Sequence, residues 1–257
     1  MAYQKKGQQM IEIETRQLAG IPVLHAVPAG KRECSLPCII FITGLHLQVW
    51  FTVILPLRWL RPGFRVVMPD APEHGARFKG NARSECSASG IYCSKTCRSL
   101  RRYVRRWWQK IGFQMSGLPS VGHRWGMTAL GIMARHPEVK CVASLMGSGY
   151  FTRLAQTLFP PLQVQTPEQQ AEFDAVIAPL AEWDVTHQLP RLADRPLLLW
   201  HGQDDDVVPA VETFRLQQAL IQAGLDNNLT CLWEAGVRHR ITPEALAATV
   251  TFFRQHL

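Results

Sequence analysis

No apolar run in this 257-residue sequence approaches the roughly 18 residues that a membrane span needs, so no bilayer-crossing segment is expected. The opening MAYQKKGQQ lacks an apolar core and a cleavage site, which argues against a secretory signal and for a cytoplasmic location. Cysteine does not form a framework either. The seven (Cys34, Cys38, Cys86, Cys93, Cys97, Cys141 and Cys231) are odd in number and lack the paired C-x-x-C spacing of a zinc site. Free thiols and no structural metal are the expectation. Acid is nearly missing from one stretch. Residues 83–125 hold nine basic residues and a single acid, Glu85, so the formal charge of +8 resides entirely there.

That basic window also holds three of the seven cysteines and three of the eight tryptophans, so its composition differs from both flanks. Within it, RSLRRYVRRWWQK (residues 98–110) sets Leu100, Tyr103, Val104, Trp107 and Trp108 at helical spacing with arginines opposite. Such a basic amphipathic helix suits an anionic membrane or nucleic acid, which gives one candidate function, a non-catalytic binding protein.

Outside the window the pattern is that of a layered α/β domain. Alternating apolar positions over residues 10–27 suit an antiparallel pair. PCIIF (37–41), FRVVM (64–68) and the run over 140–146 read as short buried strands separated by helix-length segments. Together they predict a mostly parallel sheet covered on both faces. Residues 127–136 read as a helix stopped by Pro137, and Thr166-Pro167-Glu168-Gln169 as a capping box opening another, with Phe173, Val176, Ile177 and Leu180 on one face. Leu216, Ala219, Leu220 and Ala223 repeat at helical spacing up to Gly224. Residues 229–233 give a last strand, and Thr242-Pro243 caps a final helix with Leu246, Val250 and Phe253 inward.

The most informative stretch is LLLWHGQDDDVVP (197–209), a buried strand that breaks into an acidic turn. After a further helix and strand, Gly236-Val237-Arg238-His239 sets a histidine in a loop before the terminal helix. An acidic turn after a core strand is common in α/β proteins; a carboxylate followed in this order by a histidine is also how α/β-hydrolases arrange the last two members of a catalytic triad. The nucleophile elbow of such an enzyme is G-x-S-x-G before a helix, and here Gly122-His123-Arg124-Trp125-Gly126 stands in its place. The glycine spacing fits, but Arg124 occupies the nucleophile position and cannot attack an acyl carbon. Pro119 lies in the strand leading in, where a ladder hydrogen bond would be lost.

Through MIEIETRQLAGIPVLHAVP, RVVMPDAPEHGARF, MTALGIMARHP, SLMGSGYF, LLLWHGQDDDVVP and GVRHRITPEAL, covering about seven tenths of the chain, the sequence resembles serine carboxylesterases of the α/β-hydrolase superfamily. The resemblance implies an α/β-hydrolase fold over residues 10–257, residues 1–9 being extra, with a lid insertion at about 150–190. It implies the acid at Asp205, by the spacing HGxxDxxVP, and the base at His239. It further implies a serine elbow, a His-Gly pair after the first core strand shaping an oxyanion hole, and a small-molecule ester substrate. No cofactor, metal, nucleic acid or membrane is called for, and the oligomeric state is open. Asp204 and Asp206 read as solvated turn residues, His74 and His201 as structural, and neither His123 nor Ser120 as a replacement nucleophile.

The two missing motifs fall in the two windows without resemblance, about residues 42–62 and 83–125, and both read as frame slips. Val121 to Gly126 written GTG GGG CAT CGA TGG GG gives, two bases on, GGG GCA TCG ATG GGG, which is Gly-Ala-Ser-Met-Gly. Ile42-Thr43-Gly44 written ATC ACG GG gives, with one preceding T, Tyr-His-Gly. Lys6-Gly7-Gln8 is spellable AAA GGA CAA, a ribosome-binding tract, which suggests a start at Met10. The two windows are expected to be the least ordered parts of the fold, since their polarity was never matched to it.

Overall fold

In a computed structural model, residues 10–18, 20–42, 57–69, 120–122, 126–158, 160 and 163–257 are described. Eight strands form one sheet in the order β1-β2-β4-β3-β5-β6-β7-β8. β1 (Ile11–Leu18) and β2 (Ile21–Pro28) are the antiparallel pair read from the alternation, and β2 also runs antiparallel to β4 (Arg65–Pro69). From β4 onward every pairing is parallel, through β3 (Cys38–Ile42), β5 (Ser120–Gly122), β6 (Val142–Leu145), β7 (Leu197–Gly202) and β8 (Leu229–Glu234). β5 begins after Pro119, so its ladder starts where amide donors resume.

The central strands are buried on both faces, and successive side chains divide between two cores as a two-residue period requires. On β7, Leu197 and Leu199 join one cluster, and Leu198 and Trp200 the other. The first face is covered by helix α2 (Gly126–Arg135) and helix α6 (Ala210–Gln222), and the second by helix α7 (Pro243–His256) and the short helix α1 (Leu57–Leu60). Between β6 and β7 lie α3 (Phe151–Thr157), α4 (Pro167–Ile177) with its 3-10 extension, and α5 (Leu189–Ala193). The capping box at Thr166 forms as read: its hydroxyl accepts from Gln169 N, and the Gln169 side chain accepts from Thr166 N. Phe151, Leu154, Phe173, Ile177 and Trp183 of this insertion are buried in the same cluster as Leu130 and Met133 of α2, so it is welded to the sheet's helical layer. Gly149 permits the close seat, because a Cβ there would lie 2.0 Å from Val185 Cγ2.

Of the window over 42–62 only Ile42 and residues 57–62 are described, and there Trp59 and Leu60 are fully buried. Trp59 meets Phe41 and Phe253 edge-on, with ring centroids 5.4 and 6.0 Å apart, and its Nε1–H donates to Thr249 Oγ1 at 3.0 Å. A large apolar ring next to α7 fills space in whichever frame it is encoded, and satisfying the indole donor removes the cost of burying it. Residues 1–9, 43–56 and 70–119, including the basic segment 98–110 and His74, lie outside the described residues.

The thiols read as free are free among the described residues: Cys34, Cys38, Cys141 and Cys231. Burial pushes the Cys141 thiol up to about 12 and that of Cys231 up to about 11, so neither supplies a thiolate nucleophile at neutral pH.

Candidate active site

The parallel strands present their C-terminal ends at one edge of the sheet, where open α/β sheets bind ligands. β7 ends there at Gly202, and the acidic turn follows. Asp204 and Asp206 are exposed, as read, while Asp205 turns inward and is buried. Its Oδ1 accepts from the amides of Val207 and Val208, each at 2.9 Å. Its Oδ2 accepts from His239 Nδ1 at 2.7 Å, with Oδ1 2.9 Å from the same nitrogen. The two residues singled out on opposite sides of a helix and a strand therefore meet in one hydrogen-bonded pair. Burial alone would raise the Asp205 carboxyl. The His201 and His239 hydrogen bonds and the two amides outweigh it and hold the group well below the usual carboxylate range.

The loop carrying His239 is anchored at both ends. Glu234, at the end of β8, accepts through Oε1 from Trp200 Nε1 at 2.8 Å and from Thr242 Oγ1 at 2.9 Å, while Thr242 Oγ1 accepts from Ala245 N as the N-cap of α7. Between these ends the loop rests on the backbone of Gly202. Asp204 N donates to Val237 O at 3.1 Å, and a Cβ on Gly202 would lie 2.4 Å from that oxygen. The Gly202→Ala variant is therefore expected to displace Val237, and with it His239 from Asp205, at a cost of about 1–3 kcal/mol. A fall in the midpoint of denaturant unfolding checks this, and an unchanged midpoint contradicts it.

The lowered Asp205 carboxyl also predicts a pH dependence. A group depressed in the folded state contributes stability that is present above its unfolded value, ordinarily 3.8, and that is lost as pH falls toward the folded value. Asp205→Asn should thus be clearly less stable than the parent at neutral pH, and the difference should narrow progressively below about pH 4. Paired unfolding curves at several pH values measure it; a gap that widens in acid would be the wrong sign.

On the other side of the edge, β5 ends at Gly122 and α2 begins at Gly126. A strand end and a helix start thus flank residues 123–125, where the sequence has GHRWG. Residues 123–125, with His123 and Arg124, lie outside the described residues, as does the oxyanion segment after β3. Ser120 begins β5, and its side chain is not described. Among the described residues no His, Cys, Asp and Glu cluster could hold a metal ion, and no helix is long and apolar enough to cross a membrane.

His201, read as structural, is wholly buried and lies against the same carboxylate, with Nε2 3.2 Å from Asp205 Oδ2, a contact the sequence reading did not anticipate. The available signal was its place four residues before Asp205.

Eight strands in this order, helices on both faces and a carboxylate after β7 bonded to a histidine after β8 make this an α/β-hydrolase fold. The prolyl oligopeptidase family matches over residues 124–257, more than half of the chain, and the chain belongs to that family. It is 53% identical over 253 residues to Esterase YjfP of Escherichia coli, across 96% of this chain and 100% of that protein. Among solved structures, TT1662 from Thermus thermophilus matches with a TM-score of 0.74 at 21% identity, covering 96% of this chain and 98% of that one. Est1E from Butyrivibrio proteoclasticus matches at 0.68 with 14% identity, covering 95% and 98%. The resemblance read from the motifs is borne out at the level of family and fold.

Proposed function

We propose that this chain derives from a serine carboxylesterase that hydrolyses short-chain esters of small molecules through a Ser-Asp-His triad, and that it is impaired as written because Arg124 occupies the nucleophile position. The observation that carries the reading is the 2.7 Å bond between Asp205 Oδ2 and His239 Nδ1. A carboxylate there fixes the imidazole tautomer, leaving Nε2 to take a proton from a serine and return it to the leaving alcohol. Asp205 also stabilises the imidazolium formed in between. Esterase activity in the relative of 53% identity supports the substrate class, and the insertion at about 150–190 is the lid of this reading.

Two facts support the frame-slip account of the missing serine. The relative is covered end to end while the chain keeps 96% of its own length in the match, so the two windows replace segments of similar size instead of adding a domain. The family match begins at residue 124, at the end of the basic window.

The rival reading is binding through residues 98–110, which lie outside the described residues. Anionic vesicles or DNA retained at low salt and released as salt rises would favour it. The direct test is hydrolysis of aryl acetates. The chain as written should turn them over no faster than Asp205→Asn or His239→Ala, and an acyl-enzyme burst that disappears in His239→Ala would refute the impairment.

A further inference from the structure

The hydrogen bonds around His201 define its protonation state. Its ring is completely buried, between β7 and helix α6. Nδ1 lies 2.6 Å from Thr213 Oγ1, and that hydroxyl donates to Gly147 O at 2.5 Å. A hydroxyl has one proton. With it committed to the Gly147 carbonyl, Thr213 Oγ1 meets the ring as an acceptor, and Nδ1 must carry hydrogen. On the other side Nε2 faces two groups that can only accept, Val208 O at 2.8 Å and the Asp205 carboxylate at 3.2 Å. Nε2 must therefore carry hydrogen too. The neutral alternative, with Thr213 donating to Nδ1, leaves two oxygens 2.5 Å apart with no proton between them.

We infer that His201 is a buried imidazolium and the positioning residue of the site, holding Asp205 through Oδ2 while His239 takes the same oxygen from the other side. This rests on the reading of Asp205 and His239 as acid and base. Among the described residues Asp205 is the only acid within ion-pair distance of His201, so the buried cation is compensated by that carboxylate. Asp205 then receives the Val207 and Val208 amides on Oδ1 and two imidazole donors at Oδ2, which leaves it no freedom to rotate. The indole of Trp233 on β8 lies nearly parallel to the His201 ring, with centroids 6.3 Å apart.

The test is a long-range proton–nitrogen correlation spectrum of the full chain as it exists. The expected spectrum shows two protonated ring nitrogens for His201 at neutral pH, as its hydrogen-bond partners require. One of the nine histidines must therefore stand apart. His201→Gln assigns the signal by its loss. If that variant does not accumulate, through-space contacts from the ring to the Thr213 methyl and the Trp233 indole assign it. Asp205→Asn, which removes the counter-charge, should cost His201 one ring proton. A bare nitrogen in the parent chain overturns the inference, and two protons retained in Asp205→Asn overturn the pairing. Neither readout needs ester hydrolysis, so failure of this inference is distinguishable from failure of the esterase reading.

Discussion

Replacing Gly122-His123-Arg124-Trp125-Gly126 by Gly-Ala-Ser-Met-Gly, together with in-frame sequence over both windows, is expected to speed hydrolysis of short-chain aryl esters about 10⁴- to 10⁶-fold over the chain as written. The size of the gain follows from what is already in place. Asp205 and His239 meet at 2.7 Å, and strand β5 and helix α2 flank residues 123–125. Restoring the serine thus supplies the one member whose loss disables the others, because triad residues act as a unit. The oxyanion donors must be restored with it, since one such donor is worth about 10²- to 10³-fold. Arg124→Ser alone should recover only part of the rate. If the fully restored chain stays inactive while folding normally, the esterase reading fails.

In that restored chain Asp205→Asn should lower kcat by about 10⁴-fold with little change in KM, the loss seen when a triad aspartate becomes an amide. An asparagine can accept at Nδ1–H with only one oxygen and offers an NH2 to the other imidazole or amide, so the bonds to His239, His201, Val207 and Val208 cannot all survive. In the chain as written the same substitution should leave the background hydrolysis rate unchanged while reducing stability. This contrast separates a catalytic effect from a folding effect. Equal rates for the restored parent and its Asp205→Asn variant would remove Asp205 from the mechanism.

Much of this fold was legible because burial on both faces writes itself as short apolar runs. The strand Leu197–Gly202, the cap at Thr242 and the box at Thr166 are all where local chemistry puts them. Asp205 and His239 were legible through spacing, since a carboxylate at a strand end and a later loop histidine leave a fixed order in the chain. The role of His201 was not. It follows an apolar run and reads as core, and what defines it is a hydroxyl on α6 bonded to a carbonyl 66 residues earlier. Such contacts leave no local period. Nor was the burial of Trp59 legible, because a window with no regular polarity pattern gives no hint of which ring faces a core. The anchoring of the histidine loop by Glu234 was equally hidden, as it depends on Trp200 and Thr242 converging on one carboxylate oxygen.

The account turns on whether the two unlike windows are displaced reading frames, and the nucleotide sequence of the gene across residues 42–62 and 83–126 tests this most directly. It should show single-base insertions or deletions near the codon for Phe41 and near that for Arg83, each compensated before the resemblance resumes. An alternative frame should encode His-Gly after β3 and a serine between glycines just before Met127. If no frame in those windows encodes such a serine, the displaced-frame account is contradicted, and Arg124 belongs to a hydrolase fold that has given up its nucleophile.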